Sequence, residues 1–188
     1  MASLFTHAFV AVALGKAYAG RELPERFWVL AVVCALLPDA DVLAFLFGIP
    51  YGGTFGHRGF THSLAFALLA GAATVALFFR EADNKASLAA FFALATASHP
   101  LLDALTNGGL GVALFSPFSN RRYFFPFRPV EVSPIGLRPF FSEWGLAVIL
   151  SELLWVWLPC TLALALVLIW RRRSRQAARR PTRGDDFR

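Results

Sequence analysis

Residues 144–170 read WGLAVILSELLWVWLPCTLALALVLIW and run straight into Arg171-Arg172-Arg173. Glu152 is the one charged side chain of that stretch, and its length exceeds the roughly 20 apolar residues needed to cross the hydrocarbon core of a bilayer. An arginine run directly after such a segment is a topology signal, which puts this end of the helix on the cytoplasmic side. Four further apolar stretches precede it, at residues 4–20, 27–47, 60–79 and 86–105. Those at 60–79 and 86–105 reach spanning length. The first is shortened by Lys16, and the second carries Asp39 and Asp41 in its final third. The expected fold is all-α, an integral membrane helical bundle of about five transmembrane helices. Composition agrees, with 57% hydrophobic residues, a mean hydropathy of +0.56 and 16% charged residues, against roughly 25% charged in soluble domains.

Five crossings place the termini on opposite faces, with the N-terminus outside. Lys16, Arg21, Arg26, Arg80, Lys85 and the tail then lie on the cytoplasmic side, and of the 18 basic residues only Arg58, Arg121, Arg122, Arg128 and Arg138 remain outside. This bias satisfies the positive-inside rule. The net charge of +6 therefore reads as membrane anchoring, and a nucleic-acid partner is not expected. Residues 1–170 form a single transmembrane domain, and 171–188 a basic cytoplasmic tail expected to be flexible from Ser174 onward. Ala17-Tyr18-Ala19 before Gly20 resembles a signal-peptide cleavage site, but Met1 to Thr6 holds no Lys or Arg, so cleavage is not expected. Cys34 and Cys160 lie in apolar segments outside any CxxC pattern and read as packing residues.

Alternating helix directions make a separate statement about the ionisable residues. His7 lies near the start of the first helix and Asp39 and Asp41 toward the end of the second. His57 and His62 surround the start of the third, and His99 and Asp103 fall toward the end of the fourth. All converge on the outer side, although the topology was assigned without them. The connection at 106–142 is too long for an ordinary turn and too aromatic for disorder, with Phe115-Ser116-Pro117-Phe118 and Arg121-Arg122-Tyr123-Phe124-Phe125-Pro126. It is expected to form a partly buried lid at the headgroup level.

The motifs carry metal chemistry. His99-Pro100-Leu101-Leu102-Asp103 sets an imidazole and a carboxylate four residues apart, on one helix face. His57-Arg58-Gly59-Phe60-Thr61-His62-Ser63 offers two histidines and an arginine before an apolar helix that Thr61 or Ser63 can cap. Leu37-Pro38-Asp39-Ala40-Asp41 puts two carboxylates in an apolar segment, where each costs ~2.5–3.5 kcal/mol at the helix centre and so marks a functional cavity. On an α-helix they point about 200° apart, so both reach one site only if Pro38 alters the geometry. Imidazole nitrogen and carboxylate oxygen without thiolate suit zinc first, with manganese or iron also compatible, as one or two ions. The expected ligands are His7, Asp41, His57, His62, His99 and Asp103. Asp39 or Asp41 is expected to serve as a base, with Arg58 beside them in the catalytic group. Arg58, Ser63, Arg121, Arg122 and Arg128 are expected to bind the substrate, the arginines by holding an anionic group such as phosphate.

These residues resemble the YdjM-like inner-membrane proteins described as membrane-bound metal-dependent hydrolases. The likeness rests on Thr6-His7, Leu-Pro-Asp-x-Asp at Leu37 to Asp41, His-Arg-Gly-x-Thr-His-Ser at His57 to Ser63, and His-Pro-x-x-Asp at His99 to Asp103. A weaker similarity is to zinc-dependent phospholipase C and P1 nuclease, whose ligands run in a like order; no histidine follows His99 here, so a three-metal cluster is not implied. The resemblance implies a hydrolase of the inner (plasma) membrane acting on a lipid or other membrane-associated substrate, a phosphoester by analogy. A transporter lined by His and Asp, and a non-catalytic membrane protein fastened by them, are the competing readings. The first requires polar groups at successive depths, and only Glu152 stands out in the inner halves of the helices.

Overall fold

The computed structural model describes residues 1–19, 22–134 and 136–178. Its described residues are helical and form no strand: α1 (Leu4–Tyr18), α2 (Glu25–Leu36) running on as a 3-10 segment (Leu37–Phe47), a 3-10 turn (Phe60–His62), α3 (Leu64–Phe78), α4 (Lys85–Ala104), a short α5 (Leu137–Phe140), and a rod built from α6 (Glu143–Glu152), a π-helical turn (Leu153–Trp157) and α7 (Leu158–Ala178). Five long helical stretches thus stand where the apolar runs predict them. Two are long and apolar enough to cross a membrane, Glu25–Phe47 and Glu143–Ala178, while Leu4–Tyr18 and Leu64–Phe78 are apolar but shorter.

Pro38 explains the change of register after α2. It has no N–H to donate and its ring crowds the carbonyl four residues back, which disfavours the α-helical register there. The chain tightens into the 3-10 form over Leu37–Phe47 and stops at Gly48, whose φ of 70° is left-handed. At three residues per turn Asp39 and Asp41 lie about 120° apart, against about 160° the short way round an α-helix. Both carboxylates are thereby brought toward the bundle, the disturbance that the sequence left open.

Helix α4 is the axis of the bundle, with twelve of its 20 residues buried. It packs closely on α3 through Gly71, where an added Cβ would sit 2.5 Å from the Ala89 carbonyl oxygen, so that small residues set the helix separation. Phe27, Phe79, Phe91 and Phe92 fill the end of the bundle remote from the histidines. The rod's most apolar window is only 6% buried, which exposes its side chains for lipid to cover. At about 1.5 Å per residue its 36 residues span about 54 Å, more than a bilayer core.

Glu152 lies at a different depth from that expected. The rod runs parallel to α1, and the buried Glu152 carboxylate accepts bonds from the Ser3 amide, the Ser3 hydroxyl and the Thr6 hydroxyl, which bonds Trp157 Nε1 in turn at 2.7 Å. It therefore sits at the same end as His7, and the inner half of the rod has no such group among the described residues. The tail also differs from expectation, because α7 continues as helix through Ala178; residues 179–188 lie outside the described residues, as do Gly20 and Arg21 of the proposed cleavage and charge assignments. The long connection does form a lid. Isolated bridges pair Thr106 with Val130 and Val112 with Tyr123, and backbone bonds tie it to Ala104, Arg58, Leu64 and Met1.

Candidate metal centre

At the covered end of the bundle, three elements deliver four candidate ligands. Asp39 comes from the 3-10 segment, His62 from the turn before α3, and His99 and Asp103 from one face of α4. His99 Nε2 lies 3.3 Å from Asp39 Oδ1 and 4.0 Å from Asp103 Oδ2, while His62 Nε2 lies 3.7 and 3.6 Å from the same two atoms. Each of these atoms is buried and makes no hydrogen bond, Asp103 Oδ2 having the ion pair with Arg58 Nε at 3.0 Å. Buried polar atoms without a hydrogen bond are costly, and four converging on one point call for a common partner. Donors arranged tetrahedrally about an ion at 2.0–2.2 Å lie roughly 3.3–3.6 Å apart. The separations of 3.3–4.0 Å are close to this range, so the group could hold a metal ion.

Second contacts aim the two imidazoles. His99 Nδ1 is 2.7 Å from the Ala35 carbonyl, which must accept its proton, leaving Nε2 as a lone-pair donor toward the centre. That carbonyl is free because in the 3-10 register its partner would be Pro38, which has no N–H. His62 Nδ1 faces Asp41 Oδ2 at 3.1 Å, the carboxylate–imidazole pairing that orients metal-binding histidines.

The sequence places both aspartates near the metal, with Asp41 among the expected ligands, and leaves open which of them is the base; the structure gives them different surroundings. Asp41 accepts from His57 Nδ1 at 2.7 Å, the Arg58 amide at 3.1 Å and the Thr61 hydroxyl at 2.7 Å. Asp39 has both oxygens without a hydrogen bond and joins the four-donor group. Asp41, His57 and His62 make a second close group, but its members satisfy one another by hydrogen bonds, so it is the support of the first centre. His57 is accordingly an orienting residue. His7 stands beside the ligands, its ring stacked on that of His99 at 3.7 Å between centroids and its Nε2 3.6 Å from Asp103 Oδ1, with both nitrogens unpartnered.

Several residues expected at the substrate are engaged by the protein itself. Arg58 is fully buried at a left-handed φ of 61°, with Nε 3.0 Å from Asp103 Oδ2, Nη1 donating to the Gly108 carbonyl and Nη2 to the Thr106 hydroxyl. Its guanidinium holds Asp103 and the lid. Ser63 caps α3 by accepting from the Phe66 amide, so of the two candidate caps Thr61 serves Asp41 instead. Arg122 donates to the carbonyls of His57, Gly111, Tyr51 and Gly53 and clamps two loops together. Arg121 and Arg128 are exposed and lie over the rings of Tyr123 and Phe124. Thr61, Thr106 and the Ala35 carbonyl were not read from sequence. The spacing of Thr106 three residues after Asp103, whose carbonyl its hydroxyl bonds, is the one signal available; a backbone carbonyl leaves none.

With the imidazoles neutral, Asp39, Asp41 and Asp103 outnumber the Arg58 guanidinium and the neighbouring Met1 amine, so a cation at the centre also balances charge. All four donor atoms are buried, and Asp39 and Asp41 keep only 7% exposure each.

A family model described as YdjM inner membrane protein matches residues 1–176. The chain belongs to the YdjM family of inner membrane proteins. It is also 42% identical over 176 residues to the inner membrane protein YbcI of Escherichia coli (strain K12), an alignment covering 92% of this chain and 100% of that protein. No solved structure matches it. As a YdjM-family member the chain resides in the inner membrane, and the buried Asp and His cluster described above gives it a place for a metal ion.

Proposed function

We propose that this YdjM-family protein is a membrane-embedded metal-dependent hydrolase that cleaves a lipid or membrane-associated ester, a phosphoester in the first instance, at the outer face of the inner membrane. The observation that carries it is the convergence of four buried donors that make no hydrogen bond, Asp39 Oδ1, His62 Nε2, His99 Nε2 and Asp103 Oδ2. Two nitrogens and two carboxylate oxygens suit zinc, with manganese and iron as chemical alternatives, and the single unsatisfied group favours one ion. When bound, such an ion supplies Lewis acidity and lowers the pKa of water from ~15.7 toward ~7. Asp41 and the Ala35 carbonyl hold the two imidazoles in the ligating tautomer. Arg58 fixes Asp103. His7, with both ring nitrogens unpartnered, is placed to hold the proton released at this site. Substrate would enter along the Asp39 and Asp41 edge, beside the exposed Phe45, Leu46 and Phe47, an apolar approach that suits a lipid. A permeation path finds less support, because the Phe27, Phe79, Phe91 and Phe92 cluster fills the bundle beyond the site.

Elemental analysis of detergent-purified protein tests the centre. Near-stoichiometric metal in the wild type, lost in a His62→Ala, His99→Ala double variant, is expected. Native protein that stays empty after addition of zinc, manganese or iron overturns it. Turnover of phospholipid and phosphoester substrates, abolished by Asp103→Asn with expression intact, tests the hydrolase reading; retained turnover removes Asp103 from it. The five crossings and cytoplasmic C-terminus are part of the same proposal, and Asn120→Cys should be labelled by an impermeant thiol reagent from the outer side. Labelling from the cytoplasm reverses the orientation.

A further inference from the structure

The end of the bundle remote from the metal centre holds a second feature of a different kind. A cavity of about 510 Å³ opens between the end of α1, Glu22 and Leu23, Trp28 of α2 and the end of α7. Its wall carries Lys16, Arg171, Arg172 and Arg175 together with the apolar faces of Trp28 and Leu168; Glu22 is the carboxylate among its described lining residues. Two of the cations are fixed in place. Lys16 Nζ sits 4.8 Å over the Trp28 ring, and Arg171 Nη1 donates at 3.1 Å to the Ala19 carbonyl just past the end of α1. The cations thus come from two helices, Lys16 from α1 and three arginines from α7, and face one space.

We infer that this cavity binds the headgroup of an anionic phospholipid. Among the described lining residues Lys16, Arg171 and Arg172 face one carboxylate, Glu22, which selects a negative ligand, and arginine's planar fork of donors pairs bidentately with phosphate. Its position selects a lipid over a soluble anion. The cavity lies where α7 passes from its apolar stretch into the arginines, and Leu166, Ile169 and Trp170 on the last apolar turns are exposed by 68%, 48% and 67%. In an inner membrane protein those turns meet acyl chains, so a phosphodiester lodged among Arg171, Arg172 and Lys16 has its chains laid along α7. Basic pockets between membrane helices at such an interface are recognised lipid sites. The inference is independent of the metal centre and of which face carries it.

Native mass spectrometry of the full chain, offered phosphatidylglycerol and phosphatidylcholine of matched acyl chains, reads the preference as a ratio of bound lipids. The wild type should favour phosphatidylglycerol, and Lys16→Gln with Arg172→Gln should lower the ratio roughly 25-fold, about fivefold per charge removed. Glu22→Gln, which deletes the opposing carboxylate, should raise it about fivefold. The latter variant keeps the test open if the former fails to fold. A matched control, Arg80→Gln with Lys85→Gln, should leave the ratio within about twofold. Equal losses in the control and the cavity variant, or no response to Glu22→Gln, would show only general charge attraction and overturn the site. Millimolar inorganic phosphate should not displace the lipid; full displacement would make the cavity a soluble-anion site and equally overturn the assignment.

Discussion

The different surroundings of Asp39 and Asp41 give the sharpest test of the metal centre. Asp39→Asn and Asp41→Asn are isosteric and sit two residues apart, yet the structure assigns them different losses. Asp39 would supply a ligand atom, its oxygens making no hydrogen bond. Apparent binding energies of about 10–16 kcal/mol for four-ligand zinc sites share out as roughly 2.5–4 kcal/mol per ligand, or a weakening of about 10²–10³-fold. Asp41 touches the ion only through His62 and should behave as a supporting residue, for which losses are about 10–100-fold. Asn at position 41 keeps one acceptor for the Arg58 amide and Thr61 but presents an N–H toward His57 or His62, so it disturbs the imidazoles without removing a donor. Chelator competition on purified protein gives the two affinities. The visible spectrum of the cobalt(II)-substituted protein gives the coordination, which should change for Asp39→Asn and be retained by Asp41→Asn. A variant pair in which Asp41→Asn strips the ion and alters the spectrum while Asp39→Asn does neither would refute the assignment.

Three further outcomes follow from the packing, each read from unfolding of the purified protein in a detergent titration. Arg58→Met leaves Asp103 without its guanidinium and should cost about 3–5 kcal/mol, as breaking a buried pair does; a loss below about 1 kcal/mol would mean that Arg58 is dispensable to the lid. Glu152→Ala strands the Ser3 and Thr6 donors and should destabilise by about 3 kcal/mol, with Glu152→Gln losing less because one acceptor survives. Gly71→Val forces a Cβ against the Ala89 carbonyl and the Ala93 amide, 2.5 and 2.6 Å away, and should cost about 1–3 kcal/mol through separation of α3 from α4, whereas Ala72→Val on the same helix should be nearly neutral.

Much of this protein was legible from one sequence because hydrophobicity and helix direction are local properties. Apolar runs gave five helices, and their alternation alone brought His7, Asp39, His62, His99 and Asp103 to one end, where the structure places them within a few ångströms. The His99 and Asp103 pair was visible because one turn of helix separates them. What tertiary structure decided is which donors remain unsatisfied. Asp39 and Asp41 look alike in sequence, and only the approach of His57, Arg58 and Thr61 uses up one and leaves the other. Arg58 and Arg122 read as free cations for a substrate until the lid folded its carbonyls and hydroxyls around them. Glu152 read as a stray charge deep in a helix until α1 set Ser3 and Thr6 beside it. The physical reason is the same in each instance: sequence determines where a polar group stands along its own helix, but whether it is free to bind a metal or a substrate depends on partners brought from dozens of residues away.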